Sequence, residues 1–235
     1  THYFYLSYIE KNLKKKIVLV EKPLFEKHKN LRIKNNKVLV GYNLRFHPVL
    51  NKIKKIIKNK QIWFASSNCM SYLPNWRKNI EYYKSTSAQK KLGGGVRLEL
   101  SHECDYLLWL FNDLKLKYSF NKKISNLKIN TDDILHIVCS NKKLKYLSLK
   151  LNFFSKLSER NIHIEGNNLS IFADFENFKM KISNKKNNKE KLFKVKKIDL
   201  LELELKNLIQ KNFSKFCSYK EGVKVNKFLD KVKNF

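Results

Sequence analysis

Between residues 93 and 111 the chain reads Gly93-Gly94-Gly95-Val96-Arg97-Leu98-Glu99-Leu100-Ser101-His102-Glu103-Cys104-Asp105-Tyr106-Leu107-Leu108-Trp109-Leu110-Phe111. Three glycines end an irregular segment, and the pattern after them predicts a helix. Glu99, His102 and Asp105 recur at spacing three, which sets them along one side of that helix. Leu100, Cys104, Leu107, Leu108 and Phe111 cover the side that can bury. An imidazole with a carboxylate one turn to either side has the parts of a tuned proton acceptor. A glycine turn followed by an amphipathic surface helix accounts for the same residues without chemistry. The rest of the chain decides between the two.

A second reactive group stands at the end of a different element. Ile17-Val18-Leu19-Val20 is a short, continuously apolar run, as expected of a strand buried on both faces in a parallel sheet. Glu21-Lys22-Pro23 follows it. Open parallel sheets bind ligands beyond the carboxyl ends of their strands, so Lys22 stands where chemistry happens, with Pro23 fixing the backbone beside it. Taken alone, Lys22 reads equally as a surface lysine of a lysine-rich chain.

Stepping out from these residues, 2–13 carry Phe4, Leu6, Ile9 and Leu13 at helical spacing. A linker or short helix (24–36) leads to a second buried-type strand, Lys37-Val38-Leu39-Val40-Gly41-Tyr42, which ends at Asn43-Leu44-Arg45-Phe46. Helix, strand, Lys, helix, strand is the back half of a doubly wound α/β unit. Helix signals run from Val49 to Lys58, and strand signals from Ile62 towards Tyr72. The segment holding Trp76-Arg77 and Tyr82-Tyr83 is aromatic, polar and irregular, as suits a sugar-like ligand or an ordinary packed loop. Beyond Asp113 the pattern turns to β: candidate strands fall at 116–120, 134–139, 145–153, 161–165, 169–173 and 178–182. A lysine- and asparagine-rich hairpin tip is expected at 184–191, and two closing helices at 200–216 and 221–232.

The chain has 235 residues, 43% of them hydrophobic, enough for a real core in one or two domains. Its formal net charge of +30 is extreme. The base is nearly all Lys, with Arg only at Arg32, Arg45, Arg77, Arg97 and Arg160. A phosphate-reading surface draws more on the planar guanidinium fork, so the composition argues against nucleic acid as partner. The four cysteines (Cys69, Cys104, Cys139, Cys217) lie far apart and make neither a zinc signature nor a disulfide frame. Reduced thiols, no metal and a cytoplasmic location are the expectation. No apolar run approaches the roughly 20 residues of a membrane span, so no membrane partner is expected.

These residues carry a resemblance. Val18-Leu19-Val20-Glu21-Lys22-Pro23-Leu24, then Gly41-Tyr42-Asn43-Leu44-Arg45-Phe46, then Gly93-Gly94-Gly95 with His102-Glu103-Cys104-Asp105, resemble in order and spacing the glucose-fructose oxidoreductase / inositol dehydrogenase / rhizopine catabolism (Gfo/Idh/MocA) family of NAD(P)-dependent oxidoreductases. Thr1-His2 entering a helix is a further carrier, and Ile162-His163-Ile164-Glu165-Gly166 and the segment 218–232 echo the family more weakly. Trp76-Arg77 and Glu99-Leu100-Ser101-His102-Glu103 look like members acting on activated or surface-polysaccharide sugars.

The resemblance implies an α/β plus α+β fold. A partial Rossmann unit, a doubly wound parallel sheet at 1–45, precedes an α+β substrate-binding and oligomerisation domain with an open, mostly antiparallel sheet at 46–235. It implies that Lys22 orients a sugar hydroxyl and that His102 accepts its proton, with Glu99 and Asp105 as further catalytic carboxylates. Asp105 would hold the second imidazole nitrogen or cap local structure. Glu21, Lys22, Pro23 and Arg45 are the implied cofactor contacts. Lys22, Arg45, Trp76, Arg77, Tyr83 and His102 are the implied substrate contacts. NAD or NADP is the implied cofactor, a small-molecule sugar the substrate, and a homo-oligomer the assembly.

Two features depart from the family pattern. Members commonly have Asp four residues before the catalytic His; here that position is Leu98, and the acid is Glu99. The strand and Gly-x-Gly-x-x-Gly turn that hold pyrophosphate do not occur, and the chain opens at Thr1 within a helical pattern, so a cut chain is expected. A catalytically inactive shortened homologue and a basic polyanion-binding protein are the alternative readings.

Overall fold

The computed structural model describes residues 2–184 and 191–232; the expected hairpin tip at 184–191 thus falls mainly outside the described residues. Helix α1 (His2–Asn12) leads to β1 (Ile17–Val20) and β2 (Lys37–Val40), which pair in parallel with Val18 opposite Val38. The segment expected as a linker or short helix between them is irregular. A short 3-10 turn (Asn43–Phe46) follows β2, then α2 (Pro48–Ile57) and β3 (Ile62–Tyr72).

The predicted helix after the glycines is two pieces, α3 (Val96–Glu99) and α4 (Ser101–Phe111). Between them Leu100 leaves helical geometry at φ −95° and ψ 31°. Strands β4 (Lys115–Lys122), β5 (Ile134–Ser140), β6 (Leu144–Asn152), β7 (Phe154–Gly166), β8 (Leu169–Asp174), β9 (Lys179–Ser183) and β10 (Lys191–Lys194) come next. Helix α5 (Leu200–Ile209), strand β11 (Cys217–Ser218) and helix α6 (Tyr219–Asp230) close the chain.

Among the described residues these strands form two sheets. The larger runs β10-β9-β8-β7-β3-β6-β5-β4, antiparallel throughout except for the parallel β3–β6 pair. The smaller is β1-β2-β11, with β11 antiparallel to β2. The expected combination of a parallel α/β unit and an open, mostly antiparallel sheet is therefore the observed fold. Residues beyond 45 also enter the smaller sheet, because β11 pairs with β2 and α6 packs on it.

Strand alternation explains the core. Leu135 and Ile137, Leu149 and Leu151, Ile162 and Ile164, and Ile171 and Ala173 are buried on one face of the larger sheet. Leu107 and Leu110 of α4 are buried with them. The opposite face stays open, with Tyr118, Tyr146 and Phe172 exposed and Phe64 stacked on Tyr146 at 5.8 Å.

The glycine run aims α3 and α4. A Cβ on Gly94 would lie 2.3 Å from the Thr86 carbonyl oxygen and 2.6 Å from that of Ser87. Gly95 holds φ +111°, and its absent Cβ leaves room for Asp132, whose carboxylate accepts from the Arg97 amide at 2.9 Å to start α3.

A buried ion pair joins the two sheets. Arg45, 2% exposed, donates from Nη2 to Asp105 Oδ1 of α4 at 2.7 Å and from Nε to Asp105 Oδ2 at 2.9 Å. Its Nη1 reaches Glu221 Oε1 of α6 at 2.8 Å. Removing one partner of such a pair strands a charge in the core at a cost of roughly 3–5 kcal/mol. Arg45→Leu is expected to lose about that much stability in urea unfolding, and Arg45→Leu with Asp105→Leu to regain much of it. A loss below about 1 kcal/mol for the single variant would show that the pair does not fasten the fold.

Candidate active site

Lys22 leaves the carboxyl end of β1 and reaches α3. Its Nζ donates to the Glu99 carbonyl oxygen at 2.7 Å and to Glu99 Oε2 at 3.3 Å. Glu99 Oε1 accepts in turn from Ser87 Oγ at 3.0 Å. Glu99 is thus committed to Lys22 and to the segment before the glycines.

His102 starts α4 immediately after the kink. Its ring meets Tyr42 edge-on at 5.6 Å, and Nδ1 has no hydrogen-bond partner among the described residues. Burial holds this imidazole well below the ordinary histidine range, and the positive charges of Lys22 and Arg160 depress it further. The ring is therefore neutral at ordinary pH. A neutral imidazole is free to accept a proton, although depressed basicity weakens it as a base.

The two groups line one open cavity. A cavity of about 380 Å³ is lined by Lys22, Glu99, His102, Trp76, Asn43 and Arg160, among others. Trp76 is fixed there by its Nε1, which donates to Ser71 Oγ at 3.0 Å, and by edge-on packing on Phe153 at 5.1 Å. Lys22 also borders a second cleft of about 590 Å³, with His2, Tyr3, Pro23 and Leu92 on its walls.

Several expected site residues lie elsewhere. Asp105 does not hold His102, because both its oxygens accept from Arg45. The kink at Leu100 and this pull from Arg45 break the expected one-sided row of Glu99, His102 and Asp105. Arg45 is buried, with its guanidinium taken by Asp105 and Glu221, and does not line the cavity of His102. Arg77 borders a small recess with Ile80 and Tyr82 and not the cavity of His102. The Tyr83 hydroxyl donates to the neighbouring Glu81 carboxylate and does not line that cavity. Glu21 is exposed, and its carboxylate lies against Gly41. Of the expected cofactor contacts, Lys22 and Pro23 border the second cleft.

Sequence reasoning passed over Arg160, which lines the cavity, and the buried acid behind it. Arg160 of β7 puts Nε 2.8 Å from Oε1 of Glu103, which is fully buried in α4. The contact is ionic, since neither partner meets hydrogen-bond alignment with the other. The signal was present in the alternation of β7, where Arg160 falls on the face of Ile162 and Ile164. Among the described residues no group of three or more His, Cys, Asp or Glu is placed to hold a metal ion. No described helix is long and apolar enough to cross a membrane.

Neither a family model nor a curated protein matches the sequence. Solved structures match its fold. An enzyme complexed with NADH and levoglucosan, levoglucosan dehydrogenase, superposes with a TM-score of 0.75 at 14% identity, covering 90% of this chain and 69% of its own. The UDP-N-acetylglucosamine 3-dehydrogenase of Acidithiobacillus ferrooxidans gives 0.71 at 14% identity, covering 99% and 73%. A protein assigned as an NADPH-dependent oxidoreductase from Desulfitobacterium hafniense gives 0.77 at 13% identity, covering 99% and 73%. The chain has the fold of these proteins over nearly its whole described length.

Proposed function

We propose that this chain forms the catalytic and sugar-binding part of a nicotinamide-dependent sugar oxidoreductase site of the Gfo/Idh/MocA type. The observation that carries the reading is the shared cavity, which Lys22 and a neutral imidazole from distant parts of the chain both line. The ordered motifs and the fold shared with a levoglucosan dehydrogenase and a UDP-N-acetylglucosamine 3-dehydrogenase support a sugar as substrate.

Lys22 borders both clefts, so a ligand in either one lies beside its side chain. The second cleft lies beyond the carboxyl end of β1, where open α/β sheets take their ligands. Its walls of Tyr3, Phe4, Phe25 and Pro23 fit a planar nicotinamide ring. No described residue there forms a glycine-lined helix start for pyrophosphate, so the fit concerns the nicotinamide end. NAD or NADP, when bound, accepts or returns the hydride of the substrate carbon.

The chain's own residues supply position and proton transfer. Lys22 orients the reacting hydroxyl and offsets charge that develops on its oxygen. His102 accepts the hydroxyl proton. Glu99 is a positioning residue that holds Lys22 through its carbonyl and its carboxylate. Trp76 forms an aromatic wall for the sugar ring.

The open face of the larger sheet, with Phe64, Tyr118, Tyr146 and Phe172, is read as the contact between copies of the chain. Sedimentation velocity is expected to give a dimer or larger species that Tyr146→Lys weakens; a wild-type monomer at micromolar concentration would dismiss this contact.

The catalytic reading is tested by nicotinamide absorbance in a polypeptide that supplies the pyrophosphate-binding turn absent from this sequence. Lys22→Met and His102→Asn should each lower kcat by roughly 10²–10⁴-fold. Near-normal turnover in both variants would end it.

A further inference from the structure

Arg160 occupies a position where the fold has no structural need for charge. It stands opposite Cys69 in the register of β3 and β7, on the face whose next two positions are the fully buried Ile162 and Ile164. Its counter-charge, Glu103, is entirely enclosed, and the two meet without aligned hydrogen bonds. A buried pair of this kind is commonly matched or bettered in stability by apolar side chains of the same size. Stability therefore gives no reason for it.

Its geometry gives one. Arg160 is 27% exposed in its side chain, and the opening is into the cavity shared with Lys22, His102 and Trp76. Glu103 stands at the Nε side and the Cys69 thiol also meets the guanidinium, while no carboxylate among the described residues takes its terminal amino groups. A guanidinium held from behind in this way is a preformed fork for a planar anion.

We propose that Arg160 is a substrate-binding residue and that the substrate of this site is a sugar acid, its carboxylate taken bidentately by Arg160 while Lys22 and His102 face a ring hydroxyl. The proposal rests on the reading of the cavity as a sugar site. A carboxylate is preferred over a phosphate for two reasons. One guanidinium fork matches one carboxylate, whereas the acid Glu176, which also lines the cavity and accepts from Ser158 Oγ, adds negative charge that opposes a dianion more than a single carboxylate. The choice also suits the base, because an anion on Arg160 offsets one of the two positive charges that depress His102.

Calorimetric titration of the protein with D-glucuronate, D-glucose and glucose 6-phosphate tests this. The expected result is glucuronate bound at least about 10-fold more tightly than glucose. Arg160→Lys, which keeps the charge but loses the fork, should weaken glucuronate by about 10-fold and leave glucose unchanged. The double variant Arg160→Leu with Glu103→Leu, which leaves no lone charge in the core, should abolish the preference while its unfolding midpoint stays at or above wild type. Equal affinity for glucose and glucuronate, or equal weakening of both by Arg160→Lys, would overturn the assignment of Arg160 while leaving a sugar site in place. Tighter binding of the sugar phosphate would overturn the carboxylate. No binding by any of the three would overturn the sugar-site reading and this inference with it.

Discussion

Everything at the candidate site depends on how the turn after β2 is tied to α4. Arg45 makes that tie with its whole guanidinium, reaching Asp105 on one side and Glu221 on the other. In a dry interior such a fork admits little change in distance or angle. Tyr42 is thereby set against His102, and β1 lies where Lys22 can reach the last carbonyl of α3. The charges nearest the candidate chemistry thus include a pair that does none of it.

The kink at Leu100 divides the work of the helix. Ahead of it, Glu99 turns towards Lys22; behind it, His102 turns into the cavity, Glu103 towards Arg160 and Asp105 towards Arg45. Three acids within seven residues therefore receive three separate cations. The glycine run sets this division, since a side chain on Gly94 would collide with the backbone at Thr86 and Ser87. Positive charge is abundant over the whole chain, but in the cavity each cation has an acidic partner, and the imidazole among them stays neutral.

Much of this was legible in the sequence. Ile17–Val20 and Lys37–Val40 read as buried parallel strands because nothing polar interrupts them, and the later strands read from their alternation. Lys22 and His102 stood out because their types, order and neighbours match a known pattern. That Arg45 and Asp105 take each other was not legible, for a physical reason: a residue's place on a helix says which way it points only while the helix stays regular, and a buried partner 60 residues away cannot be read from spacing. Where Arg77 and Tyr83 point was not legible, because an irregular loop carries no periodicity from which to infer direction. Arg160 was the reverse case. Its inward position followed from Ile162 and Ile164, but a lone arginine among fifty basic residues draws no notice until its partner is seen.

The central claim is that Lys22 and His102 line the same cavity close enough for the ammonium to act on the imidazole, and the titration of histidine ring signals by NMR reads that directly. In the wild-type protein His102 should stay neutral well below the ordinary value of 6.5. Lys22→Met should shift its titration upward, because a nearby positive charge has gone, while His47, whose depression to about 4 comes from burial and from Arg160, should not move. A His102 that titrates near 6.5 in the wild type, or that is unmoved by loss of Lys22, would contradict the account.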